Sequence, residues 1–243
     1  MAKNIHFVFG LQDDELGLCD RIAIASAHHH NPDHTVYLWC PHEPAGKHWE
    51  RLKRQVPVRV MPIENPHDWN GSEIRQYQHR ADLIRHTVLY TMGGVYCDTD
   101  TITLAPFPKW WQDFDTVIGV EWHPGEVIGL CNAIMSSRMH SRFQWKWLER
   151  WQSFTGGGWN EVSVRYPLKL HKQNPGLAIP FCFGMLGFQH FEYHRYWEGI
   201  HDMRGCIVAH LWRTHSGGYM RAITERDIRR RNTTYAVHAA AHL

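Results

Sequence analysis

Asp98, Thr99 and Asp100 follow directly on the apolar run Val95-Tyr96-Cys97. A strand is rigid, so its end holds two carboxylates at fixed positions. Close carboxylates repel one another unless a cation sits between them. Hard cations such as Mg²⁺ and Mn²⁺ take oxygen ligands and share them with phosphate oxygens. The pair therefore suits a metal–diphosphate, where the metal would offset the charge that builds on a departing diphosphate. On an arbitrary turn such a pair would mean little, but here a helix, Gly93-Gly94 and a short strand come immediately before it. His210 ends a later apolar run and could supply a further ligand as a neutral imidazole. A buried, hydrogen-bonded core histidine is its alternative.

The elements that must position these groups are legible as hydrophobic periodicity. Ile5 to Phe9 reads as a buried strand ending at Gly10, Leu16 to Ala27 as a helix, and Thr35 to Trp39 as a second strand. His48 to Gln55 follows as a short helix and Val58 to Met61 as a third strand. This alternation predicts parallel βαβ units, whose ligands bind at the carboxyl ends of the strands. Glu73 to Met92 is the clearest helix, with Asn70 or Ser72 as candidate cap and Gly93 at its end. Ile74, Tyr77, Ala81, Ile84 and Val88 form its apolar stripe, and Asp82 and Arg85 share one face beside it. Later, Thr116 to Glu121, Val127 to Met135 and Cys206 to Leu211 read as strands, and Met139 to Phe154 as a helix. Thr155 to Gly158 reads as a flexible break.

The chain of 243 residues suits one domain, with 43% apolar and 21% charged residues as in an ordinary soluble protein. A net charge of +2 implies no general field for nucleic acid. The six cysteines are widely spaced with no CxxC pair, which argues against a zinc ribbon or a disulfide scaffold and for reduced, mostly buried thiols. The first apolar run is short and leads into Asp13-Asp14-Glu15, unlike a signal peptide, and no membrane span is visible. A cytoplasmic protein is the default expectation, and an injected effector or phage-encoded enzyme would look the same. His28-His29-His30 with His34 is a tempting metal cluster without a patterned carboxylate, and Arg229 to Arg231 reads as a solvated helix face.

The stretch Arg80 to Arg85, then Leu89-Tyr90, then Gly93 to Asp100, resembles the DXD region of the Och1-like glycosyltransferases (glycosyltransferase family 32) and of the clostridial toxin glucosyltransferase domains. The resemblance implies a GT-A fold, an α/β architecture with a Rossmann-type, mostly parallel sheet flanked by helices. It further implies a nucleotide-sugar donor, UDP-sugar first, with Mn²⁺ or Mg²⁺ as cofactor and transfer with retention to an acceptor glycan, protein or other hydroxyl compound. One domain over 1–243 is expected, with a nucleotide-binding half of about 1–105 and an acceptor and sugar half of about 106–243.

Weaker echoes assign further roles. Ile5 to Gly10 resembles the family's opening strand, which cradles the base, and so brings in Phe7, Val8 and Phe9, with Phe9 where a Trp is common. Asp98 is implied to contact the ribose, and the metal through water; Asp100 is implied to ligate the metal directly. Asp82 is implied to meet sugar hydroxyls and Arg85 the sugar or phosphate, a helical surface ion pair being the alternative. Cys131 to Met135 resembles the strand lining the sugar site, where Asn132 could bond donor or acceptor, or only cap a strand end. His210-Leu211-Trp212 resembles a late segment that returns to the metal. Trp212 could stack on the donor or simply pack, and His215 and Ser216, in a Gly-bearing loop, could close over the diphosphate.

Two other readings compete. A haloacid-dehalogenase-like phosphatase also places Asp-x-Asp after an apolar strand, but near its first strand and with Thr or Val where Ile102 stands here. A non-catalytic sugar-nucleotide or glycan binder could keep the same fold.

Overall fold

The computed structural model describes residues 3–12, 15–69, 71–154, 158 and 160–243. Strands β1 (Asn4–Val8), β2 (Thr35–Cys40) and β3 (Val58–Pro62) alternate with helices α1 (Leu18–His30) and α2 (Lys47–Gln55). The three strands pair in parallel, as the alternation predicts. A small hairpin of β4 (Asp68–Trp69) and β5 (Ser72–Glu73) precedes helix α3 (Tyr77–Met92). The helix thus starts four residues later than its apolar stripe suggests. Ser72 lies in the hairpin instead of capping the helix, Gln76 is the residue before the first turn, and Asn70 lies outside the described residues.

Strand β6 (Gly94–Cys97) returns to pair in parallel with β1, and β7 (Thr101–Thr103) leaves the sheet after the acidic turn. A long antiparallel hairpin, β8 (Thr116–His123) and β9 (Glu126–Ser137), extends the sheet past β6. Helices α4 (Arg142–Trp151) and α5 (Tyr166–Gln173), strand β10 (Ile179–Phe181) and the single turn α6 (Phe183–Leu186) follow. The final strand β11 (Val208–His210) leads into α7 (Arg213–Ala222), α8 (Glu225–Arg230) and α9 (Thr234–Ala239). The seven-stranded sheet has the order β10-β8-β9-β6-β1-β2-β3. It is mostly parallel and mixed only because β9 runs against both neighbours. Of the predicted break at Thr155 to Gly158, all but Gly158 lies outside the described residues.

Two apolar clusters form the core. Val95 and Cys97 of β6 join the cluster that holds residues of α1 and α2, whereas Tyr96 joins the one that holds residues of α3 and α4. The Gly93-Gly94 pair is required where α3 turns back into the sheet. Gly93 has φ +60° and Gly94 φ +112°, and a Cβ on Gly94 would lie 2.5 Å from the Asn4 carbonyl. Helix α1 steadies the chain beyond the acidic turn: Thr103 N–H donates to Ser26 Oγ at 3.0 Å, and Phe107 N–H to Asn31 Oδ1 at 2.8 Å. The cysteines are free, and all are buried except Cys182. Among the described residues no helix is long and apolar enough to cross a membrane.

His6, fully buried in β1, locks this framework. Its Nε2–H donates to the Gly93 carbonyl at 2.9 Å and its Nδ1 accepts from the Trp39 indole N–H at 3.2 Å. Only the neutral ring can do both. Burial pushes its pKa from 6.5 down to about 4. The folded state therefore resists a proton that the unfolded chain accepts, so this stability is present above pH 6.5 and lost as pH falls toward 4. Buried His86, pushed down to about 3, acts in the same sense. His6 alone should cost about 2 kcal/mol at about pH 5. Urea unfolding at about pH 7.5 and about pH 5 checks this, and equal stability at both would contradict it.

Candidate active site

The carboxyl ends of β1 and β6 lie side by side because these strands are parallel. Beside them opens a cleft of about 370 Å³, lined by Val8, Phe9, Asp82, Arg85, Asp98, Asp100, Asn132, His210 and Trp212 among others. Most of the residues named from sequence therefore meet in one place. Phe7 does not: strand alternation turns its ring into the core cluster shared with α1 and α2, fully buried, while Val8 faces the cleft.

Arg85 is the hub of one wall. Its guanidinium bridges Asp98 through Nη1 to Oδ2 at 3.2 Å and Nη2 to Oδ1 at 3.1 Å. Nε lies 3.4 Å from Asp82 Oδ1, and Nη1 also donates to the Asn132 carbonyl at 2.9 Å and to its side-chain oxygen at 3.2 Å. The Asn132 amide in turn donates to Asp82 Oδ1 at 2.8 Å. Tyr96 donates its hydroxyl to Asp98 Oδ1 at 2.6 Å, and its ring lies 4.7 Å from the guanidinium. Asp82 and Arg85 are thus a buried pair, each less than 6% exposed, and not a surface pair. Burial raises the pKa of both Asp82 and Asp98, with Arg85 opposing. Asp82 Oδ2 is buried and, among the described residues, without a hydrogen-bond partner. It is an unsatisfied acceptor in the wall of the cleft that Asp82 lines.

The other wall gathers around Asp100. Strand β11 pairs antiparallel with β7, setting His210 opposite Thr101. His210 Nε2 then lies 3.3 Å from Asp100 Oδ2, and the backbone N–H of Arg213 donates to the same oxygen at 2.6 Å. Burial works against the Asp100 charge, but His210 and then Arg213 outweigh it and hold the carboxyl well below its usual range. Burial likewise works against a charged His210, yet Asp100 prevails and raises its pKa well above 6.5. Ligand atoms of Asp98, Asp100 and His210 lie within 4.8 Å of one another. Two carboxylates and an imidazole fit a divalent cation such as Mn²⁺ or Mg²⁺, whose binding would displace the imidazole proton.

Other expectations need correction. His215 and Ser216 lie in helix α7, not in a loop, and Gly217 and Gly218 continue that helix. Ser216 is fully buried outside the cleft lining, its hydroxyl donating to the carbonyls of Leu211 and Trp212. Trp212 lines the cleft but is 7% exposed; its indole donates to the Phe188 carbonyl at 2.7 Å, and its ring sits 4.1 Å from His210. The rings of His29, His30 and His242 gather away from the cleft, and His34 pairs with Asp33. The structure also brings Glu121, His190 and Arg213 to the cleft, which the sequence reading passed over. Glu121 had a usable signal, because it too is a carboxylate near the end of an apolar strand.

Asp98, with its Arg85 and Tyr96 bonds, is poorly placed to serve as a phosphatase nucleophile. The fold has the GT-A architecture of glycosyltransferases, and the sequence relatives support glycosyltransferase activity. Residues 20–117 match the family model described as a glycosyltransferase sugar-binding region containing a DXD motif, which bears out the resemblance to the DXD-containing, family 32-like enzymes. The chain is 25% identical over 250 residues to glucan organizing enzyme 1 of Cryptococcus neoformans var. grubii serotype A, covering 95% of this chain and 68% of that one. It is 29% identical over 105 residues to the initiation-specific alpha-1,6-mannosyltransferase of Candida albicans, covering 41% of this chain and 24% of the relative. The fold is similar to that of the galactosyltransferase LgtC, solved with donor and acceptor sugar analogs. The TM-score is 0.53 and the identity 13%, over 92% of this chain and 98% of that one.

Replacing Arg85 by Met would leave Asp82 and Asp98 buried without their counter-charge. The expected cost is about 3 kcal/mol or more in chemical denaturation, part of it recovered by adding Asp82→Asn. An Arg85→Met protein as stable as wild type would contradict this account of the wall.

Proposed function

We propose that the protein moves a hexose or N-acetylhexosamine from a nucleotide-sugar, a UDP-sugar first, to an acceptor hydroxyl, with a divalent metal and with retention. The observation that carries this reading is the convergence of Asp98, Asp100 and His210 beside a buried Asp82–Arg85–Asn132 network at one cleft. A bound Mn²⁺ or Mg²⁺ would supply positive charge for the leaving diphosphate. The donor half corresponds to about residues 1–105, with Val8 and Phe9 on the base and Asp98 on the ribose. The acceptor half corresponds to about 106–243.

Asp82 accepts from donor-sugar hydroxyls, and Asn132, fixed by Asp82 and Arg85, bonds the donor sugar or the acceptor. The bond from the anomeric carbon to the phosphate oxygen breaks, and a bond from that carbon to the acceptor oxygen forms on the same face. The acceptor proton passes to the departing phosphate oxygen, so no separate base is needed. Positioning and charge stabilisation carry the rate.

A panel of UDP- and GDP-sugars with Mn²⁺, read by free nucleotide, tests this. Release from one donor is expected, abolished by EDTA and lowered by about a hundredfold or more in Asp100→Ala. No release from any donor, with no thermal shift by nucleotide and metal, would overturn the reading. Affinity for a donor without turnover would make the protein a binder.

A further inference from the structure

Two arginines line the cleft, and they are differently committed. Arg85 is buried and engaged by Asp82, Asp98 and Asn132. Arg213 keeps 41% of its side chain exposed. Its Nη2 donates to Asp20 Oδ1 on α1 and to Thr99 Oγ1, inside the acidic turn, at 3.2 Å. Among the described residues its Nε and Nη1 have no partner. Its backbone N–H is bound to Asp100, which fixes the start of α7 against the proposed metal site. The guanidinium therefore hangs over the turn, on a rigid anchor, with two donors to spare.

We propose that Arg213 is the cationic side chain that takes the diphosphate, exchanging Asp20 for phosphate oxygens as the donor binds. The assignment rests on the nucleotide-sugar reading above and names the residue serving that part of the cleft. Among the described residues four carboxylates line the cleft, Asp82, Asp98, Asp100 and Glu121, and Arg85 is already committed to two of them, so a diphosphate needs a cation beyond the metal. With Asp20 exchanged, Nη2 and a neighbouring open nitrogen of the planar guanidinium present a parallel pair of N–H donors that matches phosphate oxygens bidentately. Asp20 keeps part of its support when Arg213 turns to phosphate. Its other oxygen accepts from the Gly17 N–H at 3.0 Å, in the first turn of α1, where a carboxylate is favoured by the helix dipole even without Arg213.

Calorimetric titration with inorganic pyrophosphate in the presence of Mg²⁺ tests this without knowledge of base or sugar. Wild type should bind, and Arg213→Gln should bind roughly tenfold more weakly or worse. Because Arg213→Gln leaves Asp20 buried without its partner, the double variant Asp20→Asn/Arg213→Gln is measured beside it and should show the same loss. Asp20→Asn alone should bind at least as tightly as wild type, since the competing carboxylate is gone. Wild-type affinity in a folded Arg213→Gln or double variant would overturn the assignment while leaving the nucleotide-sugar reading standing. Weakening in Asp20→Asn equal to that in Arg213→Gln would overturn the exchange. No binding by wild type would overturn the reading and the assignment together.

Discussion

Arg85 reaches from the middle of α3 to the end of β6, where its guanidinium meets Asp98 with one hydrogen bond and a second close ion-pair contact. Taking one guanidinium and two carboxylates out of water is costly, and only good geometry with further hydrogen bonds repays it. Tyr96, Asn132 and Asp82 supply that geometry. The arrangement fixes Asp82, Arg85, Tyr96, Asp98 and Asn132 relative to one another in the wall of the cleft and, among the described residues, leaves one Asp82 oxygen unsatisfied. A surface pair of the same residues would hold nothing in place.

Asp100 performs the corresponding task on the other wall. Its backbone carbonyl accepts from the Leu211 N–H at 2.8 Å, and its side chain accepts from the Arg213 N–H. One residue thereby ties the acidic turn to a strand and a helix more than a hundred residues later. The β7–β11 ladder makes the junction stiff, so His210 arrives beside Asp100 by register and not by side-chain flexibility. Helix α1 supports the same region from behind through Ser26, Asn31 and Asp20.

Local patterning carried much of this. Strand β1, strand β2, helix α2 and the acidic turn were readable from apolar periodicity and from Gly93-Gly94, because each is set by neighbours in sequence. The α3 start was misplaced because Ile74 continues the apolar stripe by chance of spacing while its neighbours Ser72 and Glu73 pair with Trp69 and Asp68. His215 and Ser216 were read as loop because Gly217-Gly218 discourage a helix, yet α7 is anchored by the Asp100 contact, which local propensity cannot reveal. Phe7 departs from the donor role that the resemblance implies because strict alternation puts it opposite Val8. The Asp20–Arg213 pair spans 193 residues, and nothing in either local segment announces it.

In the proposed function Asp98, Asp100 and His210 act together on one divalent ion. Electron paramagnetic resonance of free Mn²⁺, titrated with wild-type protein and with His210→Gln, tests that most directly. One bound ion per chain is expected, weakened by roughly tenfold or more in the variant. Equal Mn²⁺ affinity in the two proteins, or none in wild type even with UDP or GDP present, would contradict it.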